Sequence, residues 1–472
     1  MNLHLYNTYK RQCIEFVPLE DKIVRMYNCG PTVHNYAHIG NFRAYIFADL
    51  LRRWLEVNGY IVRQVMNITD VDDKTIRRSN EEQLSLKAFT RTYIEAFFAD
   101  LDRMNIRRAE LYPRATHHIN DMVDLIQRLL DRGFAYRTED GSIYFRVSSF
   151  RDYGNLSGKR LKDLRIGERV RSDEYETKDD VRDFALWKGW DVNDGAVYWE
   201  TPLGKGRPGW HIECSAMSMK YLGDYFDIHT GGVDNIFPHH ENEIAQSVCG
   251  VGSKFVNFWL HCEYLIVDGR KMSKSLGNFY TLRDLIDQGH KPRAIRYVLA
   301  TTHYRSQLNF SFESLSAAKN ALQRLDEFRA SWADYPEVEE NDEVRGAVER
   351  AKMAFTEAMN DDLNVSRAMA AVFGIVREIN ALAKENKVSQ RDIPRLQQVW
   401  REWDDALGIL TPFPDEISDS DLDVERIERL ITIRNDARKA KNWKEADRIR
   451  KVLLTEGIEL KDTAEKTTWK RK

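Results

Sequence analysis

KIVRMYNCG (22–30), PTVHNYAHIG (31–40), NFRAYIFADLLRRWLEVNG (41–59) and YIVRQVMNIT (60–69) are the consecutive stretches that decide the fold. Lys22 to Gly30 reads as a strand. After a polar loop, Phe42, Ile46, Leu50, Leu51, Trp54 and Leu55 recur at helical spacing until Gly59. Tyr60 to Thr69 then resumes a β-rich run, and a strand, helix and strand joined by a right-handed crossover predict a parallel sheet. The expected fold class is α/β, a doubly wound, Rossmann-like domain. Ligands of such sheets sit beyond the carboxyl ends of strands, which directs attention to 28–41 and 68–74. Taken alone, both are also ordinary connecting loops.

Working outward, the chain has 472 residues, 42% hydrophobic, 31% charged and 11% aromatic, which excludes a disordered chain and fits about three domains. The longest uncharged apolar stretch, Ala368 to Val376, is far short of the roughly 20 residues that cross a bilayer, so no membrane association is expected. Met1 to Cys13 carries Asn, His, Tyr, Lys and Arg where a signal peptide has an apolar core, which predicts a cytoplasmic protein. Cys13, Cys29, Cys214, Cys249 and Cys262 are odd in number and widely spaced, an argument for reduced thiols and possible metal ligands over disulfides. The net charge of −3 excludes gross attraction to nucleic acid while leaving room for a local basic patch.

The expected organisation is a first half of the α/β domain over 1–110, an inserted subdomain over 111–200 and a second half over 201–252. A connecting region over 253–312, a helical bundle over 313–410 and a small terminal domain over 425–472 follow. Short aromatic strands such as Gly141 to Val147 mark the insertion. Phe226 to His229 reads as a strand and His239 to Cys249 as a helix. After Ser311, Leu315, Ala318, Leu322 and Leu325 share a helical face. The acidic runs Asp334–Glu343 and Thr411–Val424 read as solvated linkers. Ile431 to Lys451 then carries eight basic residues against three acidic, and the chain closes on Trp469 beside cations, a composition suited to stacking on bases and contacting phosphates.

Two loops carry phosphate chemistry. His38-Ile39-Gly40-Asn41 opens the first helix, where N–H groups and the helix dipole favour anions, and His34 and His38 can donate to charge building on an α-phosphate. Lys271-Met272-Ser273-Lys274-Ser275, between Val267-Asp268-Gly269 and Leu276-Gly277-Asn278, puts two ammonium groups on a glycine-flanked loop able to follow a departing pyrophosphate. A capping histidine and a charged surface loop are the bland alternatives.

With these two loops stand the segments 26–33, Asn67 to Lys74, Pro113 to Thr116, Arg207 to Ser215, Phe237 to Glu243 and His303 to Ser306, and together they resemble the class I aminoacyl-tRNA synthetases, in particular the cysteinyl-tRNA synthetase family. The resemblance spans nearly the whole chain. It implies activation of L-cysteine by ATP, with Mg2+, to an adenylate, then transfer to the 3′ end of the cysteine tRNA by a monomer. It implies catalytic roles for His38, Asn41, Lys271 and Lys274, and ATP contacts from Thr32, His34, His38, Gly40, Asn41 and Lys274. Thr69, Trp210, His229 and Asp234 would line the amino-acid pocket, Asp234 facing the substrate ammonium. The 253–312 region would contact the tRNA stem and the helical bundle would bind tRNA.

His239 and Glu243 are four apart and would share a helix face; the resemblance adds Cys29 and Cys214 as ligands of one Zn2+ per chain. A thiolate bonding this metal would be selected over serine. A metalloprotease reading of His239-His240-Glu241-Asn242-Glu243 fails, because the second histidine of His-Glu-x-x-His is missing. His240 and Glu241 are left as supports that orient a ligand. One departure is Asn41, where the family often has histidine; its amide still donates a hydrogen bond but no proton. At the C-terminal end Arg438, Trp443, Asp447 and Asp462 match positions that read the anticodon. An amino-sugar ligase, whose relatives lack that module, and a noncatalytic tRNA-binding protein are the competing expectations.

Overall fold

The computed structural model describes residues 2–159, 178–416, 424–439, 442–455, 458–462 and 467–471. They fall into two compact units, 1–410 and 411–472. The first is built on a four-stranded parallel sheet of β3 (Ile23–Asn28), β4 (Ile61–Met66), β10 (Phe226–Gly232) and β11 (Val256–Cys262), ordered β11-β10-β3-β4. The chain leaves β3 towards β4 on one side and returns through β10 on the other. The topological switch therefore lies between the carboxyl ends of β3 and β10, where Cys29 and Thr230 meet by a main-chain hydrogen bond of 3.2 Å. An N-terminal hairpin of β1 (His4–Asn7) and β2 (Gln12–Glu15) joins β11 through the Thr8 N–H, which donates to Trp259 O at 2.8 Å.

Helix α1 (Ile39–Val57) links β3 to β4 and is buried on nearly all sides, including Arg43, Asp49, Arg52 and Arg53. One face packs on the sheet and the other on later helices, so the polar residues have internal partners. Arg43 donates to the carbonyls of Glu263, Leu299, His303 and Ser306. Asp49 Oδ2 accepts from Arg53 at 2.8 Å and from Arg296 at 2.6 Å. Burial pushes the Asp49 carboxyl up, but the Arg53 and Arg296 guanidiniums outweigh it and hold it below its ordinary range.

After α2 (Asp73–Glu81), α3 (Leu86–Arg103) and α4 (Ile119–Asp131) comes a five-stranded antiparallel sheet. Its strands are β5 (Ala135–Arg137), β6 (Ile143–Phe145), β7 (Phe184–Gly189), β8 (Trp199–Thr201) and β9 (Gly204–Pro208), ordered β5-β6-β7-β9-β8. This small sheet runs on to Pro208, past the expected end of the insertion. Gly206 serves strand contact: a Cβ there would lie 2.1 Å from Lys188 O on the neighbouring strand. β9 leads straight into α5 (Trp210–Leu222), which with α7 (Glu241–Val251) covers the face of the parallel sheet opposite α1. Between β10 and α7 lie a short helical turn, α6 (Val233–Asn235), and a kinked turn over Ile236–His240, so the regular helix begins two residues later than expected and His239 precedes it.

Strands β12 (Leu265–Val267), β13 (Arg270–Lys271) and β14 (Leu308–Phe310) form a small mixed sheet, with α8 (Leu282–Asp287) and α9 (Pro292–Thr301) between β13 and β14. Asp268 and Gly269, both at positive φ (48° and 71°), turn β12 into β13. The helices expected after Ser311 are α10 (Phe312–Ala330), α11 (Asp342–Asn360), α12 (Val365–Lys384) and α13 (Ile393–Leu407), and Ser311 caps the first by accepting the Ser314 N–H. The second unit holds α14 (Val424–Lys439), α15 (Trp443–Thr455) and the hairpin β15 (Ile458–Asp462) and β16 (Thr467–Arg471).

Candidate active site and metal centre

His38 ends the loop after β3 and caps α1. Its Nδ1 accepts the Asn41 N–H at 3.2 Å, while Asn41 Oδ1 accepts the His38 N–H at 3.1 Å. The capping role is real, and it leaves the imidazole hydrogen on Nε2 and the Asn41 amide NH2 for a ligand. Burial, helped by His34 and Lys274, lowers the His38 pKa to about 4, so the ring is a neutral donor near pH 7. A Cβ on Gly40 would come 2.9 Å from His38 Nδ1, which explains the glycine. His34 Nδ1 donates to Thr32 O at 3.1 Å, and Thr32 bridges to Thr69, so the ATP and amino-acid candidates adjoin.

The lysine loop meets the same helix start. Ile39 N–H donates to Tyr280 O at 3.0 Å, and Phe279 lies between His38 (ring centroids 5.2 Å apart) and the Lys274 ammonium, 5.2 Å from its ring. Asn278 shapes the loop by accepting the Ser273 N–H at 2.8 Å and donating to Lys271 O at 3.2 Å. Lys271 and Lys274 are exposed.

Beside this, Cys29, Cys214, His239 and Glu243 bring one ligand atom each within 4.8 Å of one another. β3 delivers Cys29, α5 delivers Cys214, and the turn into α7 delivers His239 and Glu243. His239 Nε2 is 3.1 Å from Glu243 Oε1 although His239 precedes the regular helix. With Nε2 facing the centre, His239 Nδ1 carries the hydrogen and donates to His211 Nδ1 at 2.8 Å. Burial drives the Glu243 carboxyl and the Cys29 thiol well above their ordinary ranges, Cys214 adding to the second. Two sulfurs, an imidazole and a carboxylate at this spacing fit a tetrahedral zinc ion, whose charge the buried acids would balance. A second overlapping set replaces Cys214 and His239 by His229 and His240.

The family model for the class I (C) tRNA synthetase catalytic domain matches residues 15–320, and that for the DALR domain matches 354–411. A cysteine–tRNA ligase of Protochlamydia amoebophila is 48% identical over 99% of this chain and 98% of its own length, and one of Brachyspira hyodysenteriae is 48% identical over 99% of both. The chain belongs to the cysteine–tRNA ligase family. The class I fold also appears in a Mycobacterium tuberculosis methionyl-tRNA synthetase in complex with methionyl-adenylate, with a TM-score of 0.59 at 15% identity over 81% of this chain and 89% of that one.

Other family positions fall less uniformly. Trp210 is 42% exposed and stacks on the His239 ring at 4.3 Å, a wall beside the centre. Asp234 lies on α6, just beyond the carboxyl end of β10. The buried Thr69 hydroxyl donates to Glu213 Oε2 at 2.8 Å and accepts from Asn67 at 3.2 Å. His229 is fully buried, 2.9 Å from Glu243 Oε2 and stacked on Trp259, which places it against the cluster itself.

His240 reaches the cluster, its Nε2 lying 3.2 Å from Cys29 Sγ. Glu241 does not; its carboxylate accepts the Gly154 and Ser157 N–H groups, at 2.8 and 2.9 Å, and fixes a turn of the inserted region. His211, Glu213 and His261 were invisible as participants because only the fold brings them near. In the second unit Trp443 is 59% exposed, Asp447 is exposed and Arg438 half-buried, while the side chain of Asp462 lies outside the described residues. Trp469 is half-buried: it packs against the small cluster that includes Leu460, its cross-strand partner, and donates to Glu428 at 2.9 Å.

Proposed function

We propose that this chain charges the cysteine tRNA with L-cysteine in the cytoplasm, as a monomer. The observation that carries the reading is the meeting of the His38 and Lys274 loops beside a Cys2HisGlu cluster at the switch point of the sheet. In the first step the cysteine carboxylate attacks the α-phosphorus of ATP, which arrives with Mg2+, and pyrophosphate leaves. His38 Nε2–H, the Asn41 amide and the start of α1 donate to the α-phosphate as negative charge concentrates there, with His34, Thr32 and Gly40 around the nucleotide. Lys271 and Lys274 follow the leaving pyrophosphate. In the second step a hydroxyl of the tRNA 3′-terminal adenosine attacks the carbonyl and AMP leaves.

Cys29, Cys214, His239 and Glu243 would hold Zn2+, which supplies a soft Lewis acid preferring a thiolate to an alcohol. Asp234 counters the substrate ammonium, and Trp210 and Thr69 bound the pocket. Arg438, Trp443, Asp447 and Asp462 read the anticodon, with the helical bundle holding the tRNA above them in sequence. The test is exchange of labelled pyrophosphate into ATP with cysteine and serine in parallel, together with metal content. Exchange with cysteine alone and about one zinc per chain is expected. A folded, zinc-loaded protein without exchange overturns the catalytic reading, and exchange with serine overturns the metal-based selection.

A further inference from the structure

His38 and Thr281 face each other across a short antiparallel bridge between the nucleotide loop and the end of the lysine loop, and Ile39 N–H donates to Tyr280 O at 3.0 Å. The next rung on the same face of such a pairing would join Tyr36, two residues before His38, to Arg283, two residues after Thr281. The backbone cannot make that rung, because the chain turns into α8 at Leu282. The side chains make it instead: the Arg283 guanidinium lies over the Tyr36 ring, 4.8 Å from its centroid.

The two partners are held very differently. Tyr36 sits in irregular backbone between β3 and α1 and is 37% exposed, so burial does little to fix its ring. A further contact is the edge of Tyr93 on α3, with ring centroids 5.2 Å apart. Arg283 is anchored from behind. Asp100 on α3, 1% exposed, accepts the Arg283 Nε–H at 3.3 Å and has its other oxygen 3.2 Å from Nη2, which also reaches the Ala96 carbonyl at 3.4 Å. Leu282 and Leu285 are fully buried, so α8 is a fixed mount for the guanidinium.

We propose that Arg283 is a positioning residue of the activation step: it carries the pairing of the two loops one rung further and holds Tyr36, and with it the backbone that presents His38. The proposal rests on the catalytic reading of His38 above. A cation over an aromatic face is attracted by the ring quadrupole, and a planar guanidinium covers the ring as an ammonium does not. Arg283→Lys therefore keeps a charge opposite Asp100 while losing the stack. A nucleotide loop free to shift still binds ATP but meets the α-phosphate poorly as charge builds there, so the loss belongs in kcat.

The experiment is pyrophosphate exchange by full-length Arg283→Lys, Tyr36→Leu, the double variant and Tyr36→Phe. Arg283→Lys and Tyr36→Leu should each lower kcat about 3–30-fold and leave the cysteine KM unchanged. The double variant should be no slower than the slower single one, because either change alone removes the contact. Tyr36→Phe keeps the ring and should stay within about twofold of wild type. Losses that multiply in the double variant, a Tyr36→Phe as slow as Tyr36→Leu, or Arg283→Lys at the wild-type rate each overturn the proposal. If lysine beside Asp100 abolishes cooperative urea unfolding, the Tyr36 pair decides: a kcat loss in leucine that phenylalanine escapes supports the proposal, and leucine at the wild-type rate overturns it. Wild type without exchange removes the catalytic reading itself, a result distinct from a loss confined to the variants.

Discussion

The His38 ring spends Nδ1 on the cap of α1, so its chemistry is confined to Nε2 and to the neutral form. Its pKa is held at about 4, chiefly by burial, against 6.5 in an unfolded chain. Between those values the unfolded chain takes up the proton and the folded one does not, so stability falls as the pH drops through that window. The urea midpoint of wild type should therefore fall more steeply there than that of His38→Gln; parallel curves would show that His38 is not the group responsible. Lys274 is an exposed ammonium whose value lies in meeting charge that appears only during attack. Lys274→Ala should cut pyrophosphate exchange by about 100–1,000-fold. The cysteine KM should hardly move, and a loss expressed in KM alone would assign the lysine to ground-state binding. Both residues could be singled out in the sequence because each lies within a contiguous motif, and the fold brings the two motifs together through Phe279. Trp469 shows what composition leaves open, since an aromatic beside cations has the same sequence signature whether it faces a base or packs, as here, against a small core.

Helix α1 shows what element-level reading supplies, its position, and what it leaves out, its burial. Its apolar spacing marked a helix correctly, but the period does not reveal that a second layer of helices buries the opposite face, where Asp49 binds Arg53 and Arg296. Removing the charge while keeping the shape leaves two buried guanidiniums uncompensated. Asp49→Asn should cost about 3–5 kcal/mol in urea unfolding, and a loss below 1 kcal/mol would mean water reaches the cluster. The kinked turn before α7 is a similar case. Four-residue spacing predicted that His239 and Glu243 would meet on one helix, and they do meet at 3.1 Å, yet through a turn that is not regular helix. Spacing found the pair; only the fold shows His211 behind His239, because 28 residues separate them in the chain.

At the scale of the whole molecule, the two compact units divide the proposed work. Ending the chain after Leu410 should preserve pyrophosphate exchange and abolish tRNA charging; undiminished charging would strip residues 411–472 of the anticodon role. The parallel sheet and the helical bundle were legible from periodicity and the insertion from its short aromatic strands, whereas the limit of the inserted sheet was not, since only the fold shows Gly206 paired with Gly189 on β7. The lysine loop is sewn down at both ends, by the pairing of Lys271 with Ile266 and by Tyr280 at the start of α1. Between the stitches Met272 to Phe279 is held by its own bonds, through Asn278 to Ser273 and Lys271, and even with those released its midpoint stays within about 14 Å of either anchor. Escape of the leaving group is therefore a short local excursion, completed at the pace of a tethered loop, with no need for large bodies of the protein to swing apart.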